Sequence, residues 1–291
     1  MRGATRSTLL ATAILLLRGA AHAAPSEADN LPQLLMGMDR ASRLYLDTAL
    51  GFTCDETITE PLVGAPRFQH FQYIFVHEAD GSLRDYRTLR GKGVRPEVNP
   101  GKLGFHHFLK RAYFWVLVFN GSRQKHFRYE ALGEAEALGV KAQMIRFEPI
   151  PPYREAINDW FGTAWVDPET FQILRVQAMK ADKHENWENL KRDLELSTTG
   201  NEEPAGRYYE IQTASTEFGM VKNGMRFPSR VEIVSSLYSL SKAVPPARAN
   251  LAREERTVQT YKRYKFYGVR TRDEVRNMLH PGPTQKPRKG H

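Results

Sequence analysis

The rhythm of hydrophobic and polar positions changes once along this chain. Between residues 31 and 49, apolar side chains return every three or four positions, at Leu31, Leu34, Leu35, Met38, Ala41, Tyr45 and Ala49. Gln33, Asp39, Arg40, Arg43 and Asp47 fall between them, the pattern of a helix with one buried and one wet face. Ser26 or Asn30 can cap its start, Pro32 sits within the first turn and Gly51 ends it.

From about Phe68 the period becomes two. "FQHFQYIFVHEADGSLRDYRTLRG" reads as two strands around Ala79-Asp80-Gly81, and "FRYEALGEAEALGVKAQMIRFEP" as a second pair in which Gly133 and Gly139 bound a longer loop. "GTAWVDPETFQILRVQ", with an aromatic ring beside two carboxylates, invites a catalytic reading. Asp167-Pro168 opens a type I turn there, and the Asp side chain serves the turn's backbone, so the stretch predicts a hairpin corner. In "MRFPSRVEIVSSL", Met225, Phe227, Val231, Ile233 and Leu237 share one face and Arg226, Arg230 and Glu232 the other, just after the turn signal Asn223-Gly224. The closing run Thr257 to Val269 puts Val258, Tyr264 and Phe266 on one face and Tyr261, Tyr267 and Val269 on the other, after a polar connection from Ser241 to Glu255.

Two stretches break the alternation. "KLGFHHFLKRAYFWVLVFN" suits a helix in its first half; its second half is apolar all round and must be covered, whether as helix or as buried strand. "KADKHENWENLKRDLEL" reads as a solvated charged stretch anchored by Trp187. The count is nine or ten strands and two helices in one domain, residues 24–272.

The ends supply the compartment. Arg2 and Arg6, the apolar run Thr8 to Leu17 and the small-x-small pattern Ala21-His22-Ala23 form a secretory signal cleaved after Ala23. The longest later apolar run, Ala112 to Phe119, is far below the roughly 20 residues of a spanning helix, so a soluble periplasmic protein is expected, or a secreted one outside Gram-negative cells. The single cysteine, Cys54, rules out an internal disulfide and reads as a small buried hydrophobe. The formal charge of +9 falls to about +6 without the three arginines of the leader. Part of the excess lies in a Pro/Gly-rich tail, 273–291, suited to weak contact with an anionic membrane surface; nucleic acid is not an expected partner of an exported chain.

An exported chain with a helix first, "LPQLLMGMDRASRLYLDTA" leading into "FTCDETI", then "GTAWVDPETFQILRVQ", "GMVKNGMRFPSRVEIV" and "YKRYKFYGV", resembles the periplasmic lipoprotein carriers of the LolA and LolB type. The resemblance is one of element order over most of the mature chain. It implies an α+β fold: a single curved antiparallel sheet forming an incomplete, half-open β-barrel, with the N-terminal helix and a second helix closing the concave face over an apolar cavity for acyl chains. It carries over no catalytic motif and no site residue.

Chemistry is sparse. There is no Gly-x-Ser-x-Gly elbow, and neither "RGKGVRP" nor "PGKLGF" completes a phosphate loop. His70 and His77 have opposite parity in one strand, His106 and His107 point about 100° apart on a helix, and the neighbouring carboxylates Asp55-Glu56, Glu202-Glu203 and Glu254-Glu255 have no acid/base spacing. No catalytic residue, metal ligand or cofactor is assigned. The expected function is non-enzymatic carriage of a hydrophobic ligand, an acyl chain, lipid or lipid-modified protein, against a wall of Phe105, Phe108, Tyr113, Phe114, Trp115, Phe227, Val231 and Ile233. The alternatives are an enzyme using the same cavity, marked by a histidine or carboxylate with a partner in reach, and a scaffold recruiting through the tail or a strand edge.

Overall fold

A computed structural model of the chain describes residues 30–48, 51–61, 65–77, 83–89, 97–152, 160–198, 207–240 and 249–267. The signal segment, the Ala79–Gly81 turn and the basic tail lie outside them.

The first helix, α1 (Leu31–Thr48), forms as its spacing predicts, with Leu34, Met38, Ala41 and Tyr45 buried. Asp39 is not on the wet side. Its carboxylate accepts the Gly121 backbone N–H at 2.6 Å and so ties the helix to a distant segment.

Ten strands then build one antiparallel sheet: β1 (Gly51–Glu60), β2 (Arg67–His77), β3 (Leu83–Leu89), β4 (Phe127–Ala137), β5 (Val140–Pro149), β6 (Trp160–Val166), β7 (Ile173–Lys180), β8 (Tyr208–Glu217), β11 (Arg230–Leu240) and β12 (Ala249–Phe266). β9 (Met220–Lys222) and β10 (Met225–Phe227) form a separate small hairpin through Asn223-Gly224, both at positive φ. The spatial order is β3-β2-β1-β12-β11-β8-β7-β6-β5-β4, a curved sheet whose edges β3 and β4 do not meet, so the barrel stays open.

Local geometry corrects several strand readings. Gly133 does not bound a loop: at φ 94 it sits where the β4–β5 register slips, and the turn is the tight pair Leu138-Gly139, both at positive φ. Arg263, at φ 56, takes up the extra residue of a bulge between Thr53↔Lys265 and Asp55↔Lys262. The bulge places Tyr261 and Tyr264 on the same buried face, where strict alternation separates them. The expected polar connection is strand from Ala249 onward.

The sheet's two faces are covered differently. The inner face carries Phe52, Tyr73, Phe75, Phe147, Ala164, Val176, Ala214, Val231 and Ile233, and α1 and part of the segment 99–126 pack on it. The outer face is covered over β7, β8 and β11 by α4 (Ala181–Thr198), whose Leu190 packs with Tyr209, Ile211 and Leu240. This helix is the stretch read as solvated charge. It buries one narrow row of apolar residues, too thin a stripe to stand out among its charges.

The Asp167 corner is structural. The carboxylate accepts the N–H groups of Glu169 at 2.9 Å and Thr170 at 3.3 Å and closes the β6–β7 turn.

Candidate binding site on the concave face

The chain leaves the sheet at one edge, β3, and re-enters it at the other, β4. The connection therefore has to cross the concave face, and residues 99–126 make that crossing. Its regular pieces are short: 3₁₀ turns at Pro100–Leu103 and Ala112–Phe114, then α2 (Trp115–Val118) and α3 (Gly121–Gln124), each of four residues. The helix expected from Leu103 to Tyr113 does not form. Residues 105–109 carry no regular structure, because the backbone there spends its hydrogen bonds on the sheet below instead of on itself.

Those bonds explain the polar residues in the sheet's interior. Glu60 Oε1 accepts from the His106 N–H at 3.0 Å, and Gln259 Oε1 accepts from the Leu109 N–H at 2.6 Å. The Leu109 carbonyl takes bonds from Arg87 at 3.2 Å and Gln259 at 3.1 Å, and the Lys110 carbonyl from Arg87 at 2.9 Å. Arg87 is held in turn by the Glu56 carboxylate, Nε to Oε2 at 2.6 Å and Nη2 to Oε1 at 3.0 Å, while Gln259 also donates to Glu56 at 2.8 Å. Burial alone would lower the Arg87 pKa; the adjoining Glu56 carboxylate outweighs it and raises it above the usual arginine value. The guanidinium also lies 4.8 Å from the centre of the Tyr73 ring. With Glu56 0% and Arg87 5% exposed, the pair is stable only as a complete set, since removing one partner leaves a charge without solvent.

This layer divides the predicted wall. Tyr113, Phe114, Trp115, Phe227, Val231 and Ile233 come together in the main core, and Trp115 Nε1 donates to Thr216 Oγ1 at 2.8 Å. Phe105 and Phe108 lie apart from that core, with Ile58 and Phe71. Tyr113, Phe114 and Trp115 belong to the crossing segment, and Phe227, Val231 and Ile233 to the floor beneath it. Tyr113 sits among Phe52, Phe75, Tyr45 and Phe227 with ring centres 5.5–5.9 Å apart. Its hydroxyl and that of Tyr73 are buried with no hydrogen-bond partner among the described residues. The Cys54 thiol, on the same inner face, is pushed well above its ordinary pKa by burial.

A second polar group lies at the rim. His107 Nδ1 is 2.8 Å from Gln212 Nε2 and its Nε2 2.9 Å from Glu255, so both ring nitrogens have hydrogen-bond partners. Nearby, Glu210 accepts from Lys183 at 2.5 Å and from Ser235 at 3.1 Å, and the Lys183 hydrogen bond holds its carboxyl below the usual range. Among the described residues no three His, Cys, Asp or Glu side chains gather to hold a metal ion, and no helix is long and apolar enough to cross a membrane.

The buried network is what the sequence reading missed. Glu56 and Glu60 share parity with Phe52, Cys54 and Ile58, and a carboxylate at an inward position was the available signal.

No protein-family model and no curated protein matches the chain. Among solved structures, a DUF1329 family protein from Desulfovibrio piger aligns over 80% of this chain and 92% of its own, at 12% identity and a TM-score of 0.41. A LolA superfamily protein from Nitrosomonas europaea aligns over 84% and 96%, at 10% identity and a TM-score of 0.36.

Proposed function

We propose that this chain is an exported envelope protein that binds a hydrophobic ligand, an acyl chain, lipid or lipid-modified protein, on the concave face of the sheet. One observation carries the reading: beside α1, the apolar part of that face is covered by a crossing segment whose longest helix has four residues. Among the described residues, 112–119 are held to the floor by packing and one side-chain bond, Trp115 to Thr216, whereas residues 106–110 are bolted down. An acyl chain gains about 25 cal/mol per Å² of apolar surface removed from water, and it can exchange with the cover's own side chains at little net change in buried area. Phe227, Val231 and Ile233 would then line the ligand from below. Tyr113, Phe114 and Trp115 would line it from the displaced cover, with Phe105 and Phe108 fixed beyond the polar layer. Cleavage after Ala23 would place the protein in the periplasm, with the basic tail adding weak attraction to anionic headgroups.

Native mass spectrometry of protein from its own periplasm, together with quenching by a brominated fatty acid, tests this. A co-purifying lipid is expected. Quenching should fall in Trp115→Phe and Trp160→Phe, whose rings meet at 5.0 Å on the inner face, and persist in Trp165→Phe and Trp187→Phe, which pack outside the main core. Lipid-free protein that no acyl probe quenches would end the proposal.

A further inference from the structure

The outer face of β3, β2, β1 and β12 differs from the half covered by α4: no helix among the described residues packs on it. The bulge at Arg263 decides what it presents. In "YKRYKFY", Tyr261, Tyr264 and Phe266 turn into the protein, while Lys262, Arg263 and Lys265 turn out and are exposed. Register extends this row across the sheet: Lys265 pairs with Thr53, Thr53 with Ile74 and Ile74 with Tyr86, and the next row ends at Val76 and Arg84. The face therefore carries Arg84, Lys262, Arg263 and Lys265, with half-exposed Ile74, Val76 and Tyr86 between them, and the exposed Tyr267 at its corner. Its acids are Asp55, which is paired with Arg263, and, farther along β12, Glu254, which is paired with Arg256. Among the described residues Lys262 and Lys265 are in no ion pair, so their charge is free for a partner.

We infer that this face docks on an anionic phospholipid bilayer. Cations alternating with aromatic and aliphatic side chains suit the headgroup layer, where tyrosine is at home and phosphates supply the missing negative charge. The sequence beyond Tyr267 carries Arg270, Arg272, Arg276, Lys286, Arg288 and Lys289 against Asp273 and Glu274, a net positive charge of the same sign as the face. The inference does not depend on what fills the concave face.

The test is flotation of the mature chain with vesicles of phosphatidylglycerol and phosphatidylcholine, against vesicles of phosphatidylcholine alone. Binding is expected only to the anionic vesicles, with release as salt shortens the screening length. K262Q/K265Q should lower the partition by about fivefold per lysine, K262R/K265R should retain it, and thermal unfolding of both variants should match wild type. Equal binding to both vesicle types, or to neither, would overturn the inference. So would wild-type binding by K262Q/K265Q, which would put the whole attraction in the residues after Tyr267, or an equal loss in K262R/K265R, which would make the effect one of shape.

Discussion

The two ends of the concave interior are filled in opposite ways. Around Phe52 and Phe227 the filling is aromatic: Tyr45, Phe75, Tyr113, Tyr264 and Phe266 crowd together with ring centres between 4.5 and 6.0 Å apart. Four residues along β1 from Phe52, Glu56 joins Arg87, Gln259 and Tyr261 in a network in which Gln259 alone makes hydrogen bonds to Glu56, Leu109 and the Tyr261 hydroxyl. Packing is graded and absorbs small changes; a buried charge network holds as a set or fails as a set. One crossing segment is held by both, so its two halves should respond to perturbation on different scales.

The largest expected effect breaks the network. Arg87→Met leaves the Glu56 carboxylate buried without its cation and should destabilise the fold by about 3–5 kcal/mol in urea titration. The double variant Arg87→Met/Glu56→Leu should recover only part of this, because the Leu109 and Lys110 carbonyls still lack the donor that Arg87 provides. A loss below about 1 kcal/mol in the single variant would show that the network is no tighter than the packing beside it. Tyr113→Phe probes the aromatic end. Removing a buried hydroxyl without a partner should leave stability unchanged or raise it by up to about 1 kcal/mol, and a clear loss would reveal a bond partner for that oxygen. The smallest effect belongs to the rim. Glu210 is partly exposed and its pKa is lowered chiefly by Lys183, so Glu210→Gln should cost only about 0.5 kcal/mol near neutrality after solvent screening. A lowered carboxylate stabilises the fold above its unfolded pKa and loses that contribution as pH falls through the folded one. The gap between wild type and variant should therefore close in acid; a gap that widens there would contradict the assigned pairing.

The parts of the fold legible from residues alone were those in which neighbours along the chain decide the outcome. α1 shows its stripe, and the Asp167 and Asn223-Gly224 corners carry their turn chemistry. Two kinds of feature escaped. The bulges at Gly133 and Arg263 shift parity by one residue, which no alternation count detects, and so Tyr261 was assigned to the wrong face. The buried network depends on the crossing from β3 to β4, an outcome of how all ten strands pair, and only that outcome explains why Glu56 and Gln259 face inward. The eight proposed wall residues lie in buried or half-buried positions; their division between floor, cover and satellite cluster is a property of the topology.

That topology has a mechanical corollary. Strands β1 to β3 come from the chain before the crossing and β4 to β8, β11 and β12 from the chain after it, and within the main sheet the two blocks touch along a single seam, β1 against β12. The crossing is a strap thrown over that seam. Slackening it would let the blocks swing about one line of hydrogen bonds, like covers about a spine, and loading a guest beneath the strap would then amount to opening the book.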